Sequence, residues 1–164
     1  MSVTEPVIRH ASRDEAETLL KVQRGACVAA FAHIFPPELY PFPDDVVRGA
    51  WREALDDPGV EAYIAEVGGE PVGSVSVGDE FLRTLYVVQS HWRTGVGTAL
   101  HDFALERLRA HGLAVAKLWT LEENWPARRY YEKRGWRLNG ETRVVPFPPN
   151  PIDVGYSLDL TSTD

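Results

Sequence analysis

The segment from Leu82 to Leu100 reads as a β-strand, a tight polar turn, the triplet Gly95-Val96-Gly97 and the first turns of an amphipathic helix. The glycines let the backbone turn sharply and lie close to a bulky ligand. The free N–H groups of the following helix, at the positive end of its dipole, form a cradle for phosphate oxygens. A Gly-x-Gly after a strand does not by itself say which phosphate ligand is meant. The sequence downstream decides that.

The rest of the chain supplies the layers around this segment. Val7-Ile8-Arg9 predicts a short first strand. Ser12 to Glu15 has the form of a capping box, opening a helix through Leu19, Leu20 and Val22 that loosens near Gly25. Ala32 to Pro43, rich in proline and aromatic residues, predicts a semi-rigid loop. A second helix starts at Asp44, with Val47, Ala50, Trp51, Ala54 and Leu55 as its apolar stripe, and stops at Asp57-Pro58-Gly59. Val60 to Val67 and Val72 to Val77 predict a hairpin turning at Gly68 to Pro71, and Phe81 to Val88 a third strand beside it. Beyond Gly97, Ala99, Leu100, Phe103, Ala104 and Leu108 fall at helical spacing, and His111-Gly112 closes that helix. A strand over Ala114 to Leu121, a short helix over Asn124 to Arg134, a strand over Trp136 to Val145 and a last strand over Ile152 to Leu160 complete the chain. This order is that of one mixed α/β layer structure, with no internal repeat, low-complexity tract or interdomain linker.

Composition narrows the function classes. With 164 residues, 44% hydrophobic and 25% charged, the chain fits one globular domain with a sizeable core. No apolar run approaches the length of about 20 residues that crosses a bilayer. Met1 to Pro6 lack the basic and apolar regions of a signal peptide, so a cytoplasmic location is expected, with no membrane partner. Cys27 is the only cysteine, which leaves no intrachain disulfide and no Cys-based zinc cluster; beside Ala26, Val28 and Ala29 it reads as a packed thiol. A net charge of −7 argues against nucleic acid as a partner and suits a cationic substrate such as an amine. His10, His33, His91, His101 and His111 have no paired metal spacing, so no metal is expected.

Two blocks carry a family resemblance. Trp92 to Gly97 is similar to the Gln/Arg-x-x-Gly-x-Gly/Ala signature of the GCN5-related N-acetyltransferase (GNAT) superfamily; both glycines match, while Trp92 stands where Gln or Arg is usual and Arg93 follows it. Downstream, Asn124, Ala127, Tyr130, Tyr131, Gly135 and Trp136 match the family's Asn-x-x-Ala-x-x-Phe/Tyr-Tyr-x-x-x-Gly-Phe element. Two blocks in the right order make the resemblance specific, and it extends from Val7 to the last strand. It implies an α/β (α+β) fold: a single domain over residues 7–160 with short tails at 1–6 and 161–164. A central twisted mixed sheet, splayed at the cofactor site, would be flanked by about four helices. The split falls between the strands at Phe81–Val88 and Ala114–Leu121. The pantetheine arm of acetyl-CoA is expected along the backbone of Leu85, Tyr86, Val87 and Val88. Its pyrophosphate is expected on Arg93, Thr94, Gly95, Val96, Gly97 and Thr98.

The same resemblance assigns chemistry. Tyr131 matches the family's general acid; a phenol, with a pKa of about 10, stays protonated at pH 7 and can donate to a thiolate whose acid has a pKa of about 8.5. The alternative is that Tyr131 packs the small helix with its hydroxyl structurally bonded. Tyr130 reads as core. The N–H near Val87 is the expected oxyanion donor. Asn124 caps its helix, bonds the pantetheine arm, or does both, and Arg128 and Arg129 are candidates for the phosphates. Glu80 is the candidate general base, with Asp79 and Glu122 as rivals, and needs burial or a water relay to deprotonate an ammonium. The acceptor site is expected from Phe31 to Trp51 and from Pro146 to Pro151. Phe35, Tyr40, Phe42, Trp51 and Phe147 there suggest a walled apolar pocket, with Glu38, Asp44 and Asp45 as candidates to hold an amine. The expected reaction is acetyl transfer from acetyl-CoA to a primary amine of a small molecule by direct attack. Acetylation of a protein N-terminus or lysine, which needs an open groove, and a non-catalytic acyl-CoA sensor are the alternatives. A homodimer through the C-terminal strands is compatible with the sequence.

Overall fold

The computed structural model describes residues 5–161. Strand β1 (Val7–His10) leads into helices α1 (Ala16–Ala30) and α2 (Asp44–Asp56), followed by strands β2 (Val60–Val67), β3 (Glu70–Gly78) and β4 (Phe81–Val87). Helix α3 (Val96–Ala110) and strand β5 (Val115–Leu121) come next, then α4 (Trp125–Lys133), β6 (Arg137–Val144) and β7 (Ile152–Asp159). The seven strands form one open mixed sheet in the order β1-β2-β3-β4-β5-β7-β6. The β4–β5 pair is parallel and the other neighbouring pairs are antiparallel. Fold class and split sheet therefore match the expectation.

Alternation along β2 puts a core on each face. Ala62 and Ile64 pack with Leu19 and Trp51 under α1 and α2, while Tyr63 and Ala65 join Leu100, Ala104, Leu108, Tyr131 and Trp136 under α3 and α4. Each fully buried side chain of this size, such as Leu19 or Leu108, contributes about 1.5–3 kcal/mol. Of the apolar stripe on α2 only Trp51 is buried; Val47, Ala54 and Leu55 are half-buried and Ala50 is exposed, because α2 sits at the rim against α1 and β2.

Two local expectations are corrected. Helix α1 does not loosen at Gly25 but runs on to Ala30. Gly25 is where it lies against the end of β4, since a Cβ there would sit 3.1 Å from Val88 Cγ1. The capping box forms by half: the Glu15 carboxylate accepts the Ser12 N–H at 3.0 Å, but the Ser12 hydroxyl donates to the Asp14 side chain at 2.6 Å instead of serving a backbone donor. Arg9 explains why Glu15 is held so firmly. It bonds both Glu15 oxygens, at 2.7 and 2.8 Å, and Glu66 at 2.7 Å, tying β1, β2 and the start of α1 together. That guanidinium pulls the Glu15 carboxyl down to about 2.

The split arises from a bulge. The β3–β4 register steps from Val77↔Leu82 to Ser76↔Thr84, which leaves Arg83 as an extra residue. Before it, the Glu80 carbonyl faces β5 and accepts the Lys117 N–H at 2.9 Å. After it the parity is reversed: the Val88 N–H points back to the Val72 carbonyl at 2.9 Å. By antiparallel alternation the N–H and C=O groups of Leu85 and Val87 then point away from β3. β5 is no longer there to meet them, because it pairs with β4 only at Phe81↔Lys117 and along its whole length with β7.

Candidate active site

The opening between β4 and β5 is a cleft of about 560 Å³, with Leu85 and Tyr86 on one wall, Leu118 and Leu121 on the other, and Asn124 and Tyr131 of the α4 region reaching it. Above the end of β4 the chain bends through Arg93 (φ 62°) and Gly95 (φ 93°), and the Thr94 hydroxyl pins the turn by donating to the His91 carbonyl at 2.6 Å. Helix α3 makes its first backbone bond from Ala99 N–H to Gly95 O at 3.0 Å. The N–H groups of Val96, Gly97 and Thr98 precede that bond, and no side chain caps them. These donors at a helix N-terminus, beside outward-facing backbone of Leu85 and Val87, suit a diphosphate followed by an amide-containing arm.

Trp92 gives the departure from the signature a physical meaning. Its indole N–H donates to the Val87 carbonyl at 2.7 Å, so that carbonyl is occupied while the Val87 N–H still faces the split. The Val88 N–H is engaged in the β3 ladder and faces away from it.

Tyr131 is 8% exposed and lies at the floor of the cleft. Its ring packs edge-on against Tyr130 and Trp136. No hydrogen bond from a described residue reaches its hydroxyl, and burial pushes the phenol above its ordinary value, so it stays protonated. Beneath it, the Trp136 indole donates to His101 Nε2 at 3.0 Å, which leaves the Nδ1 proton for Asp102 at 3.0 Å. Burial lowers the His101 pKa and keeps the ring neutral. Asn124 Oδ1 accepts the Ala127 N–H at 3.4 Å and also lines the cleft, so it caps α4 and faces the ligand space at once.

The arginines divide differently from expectation. Arg128 bonds the Tyr156 hydroxyl at 2.9 Å and the Glu122 carbonyl at 2.8 Å and stacks on Trp125, which anchors α4 to the sheet; Arg129 is exposed on the outer surface. Arg134, missed by the sequence reading, donates to Thr98 Oγ1 at 3.0 Å and lies 3.5 Å over the Tyr130 ring, while the Tyr130 hydroxyl meets the same Thr98 oxygen at 3.1 Å. A guanidinium is thus fixed beside the first turn of α3. Its signal in the sequence was only its place before Gly135.

Glu80 is not brought to this site. It is 46% exposed, its carboxylate pairs with Lys117 Nζ at 3.2 Å, and it sits at the closed end of the split. Along extended chain it lies about 23 Å from Val87.

A second cavity, about 480 Å³, lies under the α1–α2 connection, walled by Cys27, Phe31, Phe35, Tyr40, Phe42 and Phe147. Phe31, Tyr86, Leu121 and Asp153 line both spaces, so the cavity and the cleft meet there. Of the anticipated pocket residues Phe35 and Tyr40 form its wall. Glu38 is exposed outside it, and Trp51 is buried between α1 and α2 with its indole donating to Gln23 at 2.8 Å. Asp44 and Asp45 pair with Arg24 and Arg48. The Cys27 thiol is pushed up to about 12 by burial and is unreactive as a nucleophile. Among the described residues Asp153 is the one carboxylate lining the cavity, and its place could not be read from its sequence neighbours.

A family model described as the Acetyltransferase (GNAT) family matches residues 13–136. The chain belongs to this family. Over 130 residues it is 32% identical to the probable N-acetyltransferase Rv2775 of Mycobacterium tuberculosis, covering 71% of this chain and 66% of that protein. The chain spans about two thirds or less of the length of the curated relatives it matches. Among solved structures, a GCN5-related N-acetyltransferase from Rhodopseudomonas palustris superposes with a TM-score of 0.74 at 20% identity over 97% of this chain and 98% of that one. YncA from Salmonella typhimurium, solved with its cofactor acetyl-CoA, has a TM-score of 0.70 at 18% identity over 98% and 97% of the two chains. At such identities these two likenesses speak for the fold. Among the described residues no helix is long and apolar enough to cross a membrane.

Proposed function

We propose that the chain transfers the acetyl group of acetyl-CoA to the primary amine of a small molecule by direct attack. The observation that carries this reading is the meeting of two spaces at Tyr86, Leu121 and Asp153: a cleft with outward backbone donors, and a walled apolar cavity.

When bound, acetyl-CoA supplies an activated acetyl thioester, which ends as an amide and a free thiol. The N–H groups of Val96, Gly97 and Thr98 hold its phosphates, with Arg134 beside them, and the outward backbone of Leu85 aligns its arm. Val87 N–H donates to the carbonyl oxygen as negative charge develops there, which is often the largest single catalytic contribution. Tyr131 holds a proton at its hydroxyl for the departing sulfur. Overall the ammonium loses two protons: one matches the proton delivered to sulfur, and the other leaves to solvent.

The cavity favours a small acceptor over a protein. Phe35, Tyr40 and Phe42 wall its inner part and Phe147 and Pro148 stand exposed at its mouth, whereas an extended peptide needs a continuous open edge or groove. The test is release of free thiol from acetyl-CoA with a panel of small amines against peptides bearing a free N-terminus or lysine. Amine-dependent release with the small panel is expected. Release with peptides alone would move the reading to protein acetylation, and acetyl-CoA binding without any turnover would make the chain a sensor.

A further inference from the structure

Among the described residues one charged group lines the apolar cavity, and it is not one the sequence singled out. Asp153 is 8% exposed and reaches the junction of cavity and cleft from β7, in register with Leu121 of β5. Its Oδ2 accepts from Arg143 Nε at 2.9 Å, while no described residue bonds its Oδ1. Among the described residues the buried side-chain atoms that lack a partner are Asp44 Oδ1 and Ser74 Oγ, so Asp153 Oδ1 is not sealed off but opens to the space in front of it, where it can accept from a donor that enters from the cavity.

The groups that face it restrict what that donor is. Tyr86 on β4 and Tyr131 on α4 are phenols that burial keeps neutral, and Cys27 on α1 is a neutral thiol. The amide oxygen of Gln23 is taken by the Trp51 indole. Arg143, from β6, is 55% exposed and stacks on Trp119 at 4.5 Å; it lines the cleft and not the apolar cavity, and water screens its charge. The remaining wall is aromatic, aliphatic and proline. This lining offers one negative charge at its inner end and, among the described residues, no second charged side chain, while Leu39, Phe147 and Pro148 at its mouth are exposed.

We infer that Asp153 is the anchor for the acceptor's ammonium group, and that the acceptor is a singly charged primary amine with an apolar, aryl or branched-alkyl body. This rests on the acetyltransferase reading above. It disfavours polyamines, whose nearer second cation would lie against Phe35, Tyr40 and Phe42, and free amino acids, whose carboxylate would lie beside Asp153. It also moves recognition of the amine from Glu38 of the α1–α2 loop and from Asp44 and Asp45 in the first turn of α2 to the sheet.

The test is calorimetric titration of the full chain, in the presence of CoA, with 2-phenylethylamine, isoamylamine, spermidine, L-phenylalanine and the uncharged isostere 2-phenylethanol. Wild type, Asp153→Asn and Arg143→Met are compared, and each is titrated separately with acetyl-CoA and melted. The two apolar amines are expected to bind wild type better than spermidine or phenylalanine. Asp153→Asn should weaken them about 10- to 100-fold, as for loss of a charge-assisted hydrogen bond, and leave 2-phenylethanol unchanged. Arg143→Met should keep amine binding within about 3-fold, because Asp153 retains its charge. Unchanged amine binding in Asp153→Asn, preference for spermidine or phenylalanine, or equal losses in both variants with lowered melting temperatures would overturn the inference. Acetyl-CoA binding by wild type without binding of any apolar amine overturns it alone. Failure of wild type to bind acetyl-CoA refutes the acetyltransferase reading beneath it.

Discussion

Replacing Tyr131 by Phe removes a single oxygen from the floor of the cleft. No described residue bonds that oxygen, and the ring's contacts with Tyr130 and Trp136 survive the change. The hydroxyl is not among the buried polar atoms left without a partner and opens to the cleft, so its removal breaks no protein hydrogen bond and should cost the folded state little. For a chain of this size each kcal/mol moves the melting temperature by about 2–4 °C, and Tyr131→Phe is therefore expected to melt close to the wild-type temperature. Catalysis should respond differently. Loss of a positioned general acid costs about 10²- to 10⁴-fold, or about 3–5 kcal/mol in the barrier. Steady-state thiol release should show that loss in kcat, with acetyl-CoA affinity unchanged in a separate titration. Because burial raises the Tyr131 pKa, wild-type kcat should also stay level on the alkaline side past the ordinary phenol value. Full kcat in the variant would refute the acid role. A melting temperature lowered by several degrees would show instead that the hydroxyl holds the small helix.

Three further outcomes follow from the geometry. Gly95→Ala places a Cβ at φ 93°, which costs about 1–2 kcal/mol, so melting should fall by a few degrees and acetyl-CoA should bind more weakly as the turn before α3 relaxes. Wild-type melting and affinity in that variant would remove the turn from the phosphate site. Glu80→Gln should keep kcat/KM within about 2-fold, since its carboxylate sits at the closed end of the split on Lys117; a loss of 100-fold would restore it as the base. Stability should fall in two windows as pH drops. His101, lowered by burial, binds its proton more readily when unfolded, so the first loss begins below about pH 6.5 and His101→Gln should flatten it. Glu15 and Glu61, held near 2 by Arg9 and Arg107, give the second loss below about pH 4.5. Melting curves from pH 8 to 3 read both, and a midpoint flat to pH 4 in wild type would contradict the His101 assignment.

The layer order and the phosphate-binding turn were legible because they rest on local signals: alternation in β2 and β7, the hairpin glycines, and the two blocks around Gly95 and Tyr131. The split was expected only from family resemblance. Its cause, the extra residue Arg83 that turns Leu85 and Val87 outward, depends on a cross-strand register that no local pattern encodes. Gly25 looked like a weak point in a helix because sequence cannot distinguish flexibility from close approach. Trp51 looked like pocket wall but is core, since an aromatic on a helix stripe serves either role until the partner surface is known. Glu80 and Asp153 show the same limit in the site itself. Glu80 drew attention by lying next to the central strand, while Asp153 reaches the cavity through its pairing with Leu121, 32 residues away in the chain.

The most direct test of the account is a calorimetric titration of the full chain with acetyl-CoA, with free CoA alongside. Saturable one-to-one binding of both is expected, since the α3 N-terminus and the outward backbone of β4 hold parts that the two ligands share. No binding of either by folded protein would mean that the Trp92 indole on the Val87 carbonyl closes the split to the cofactor, and the acetyltransferase account would fall.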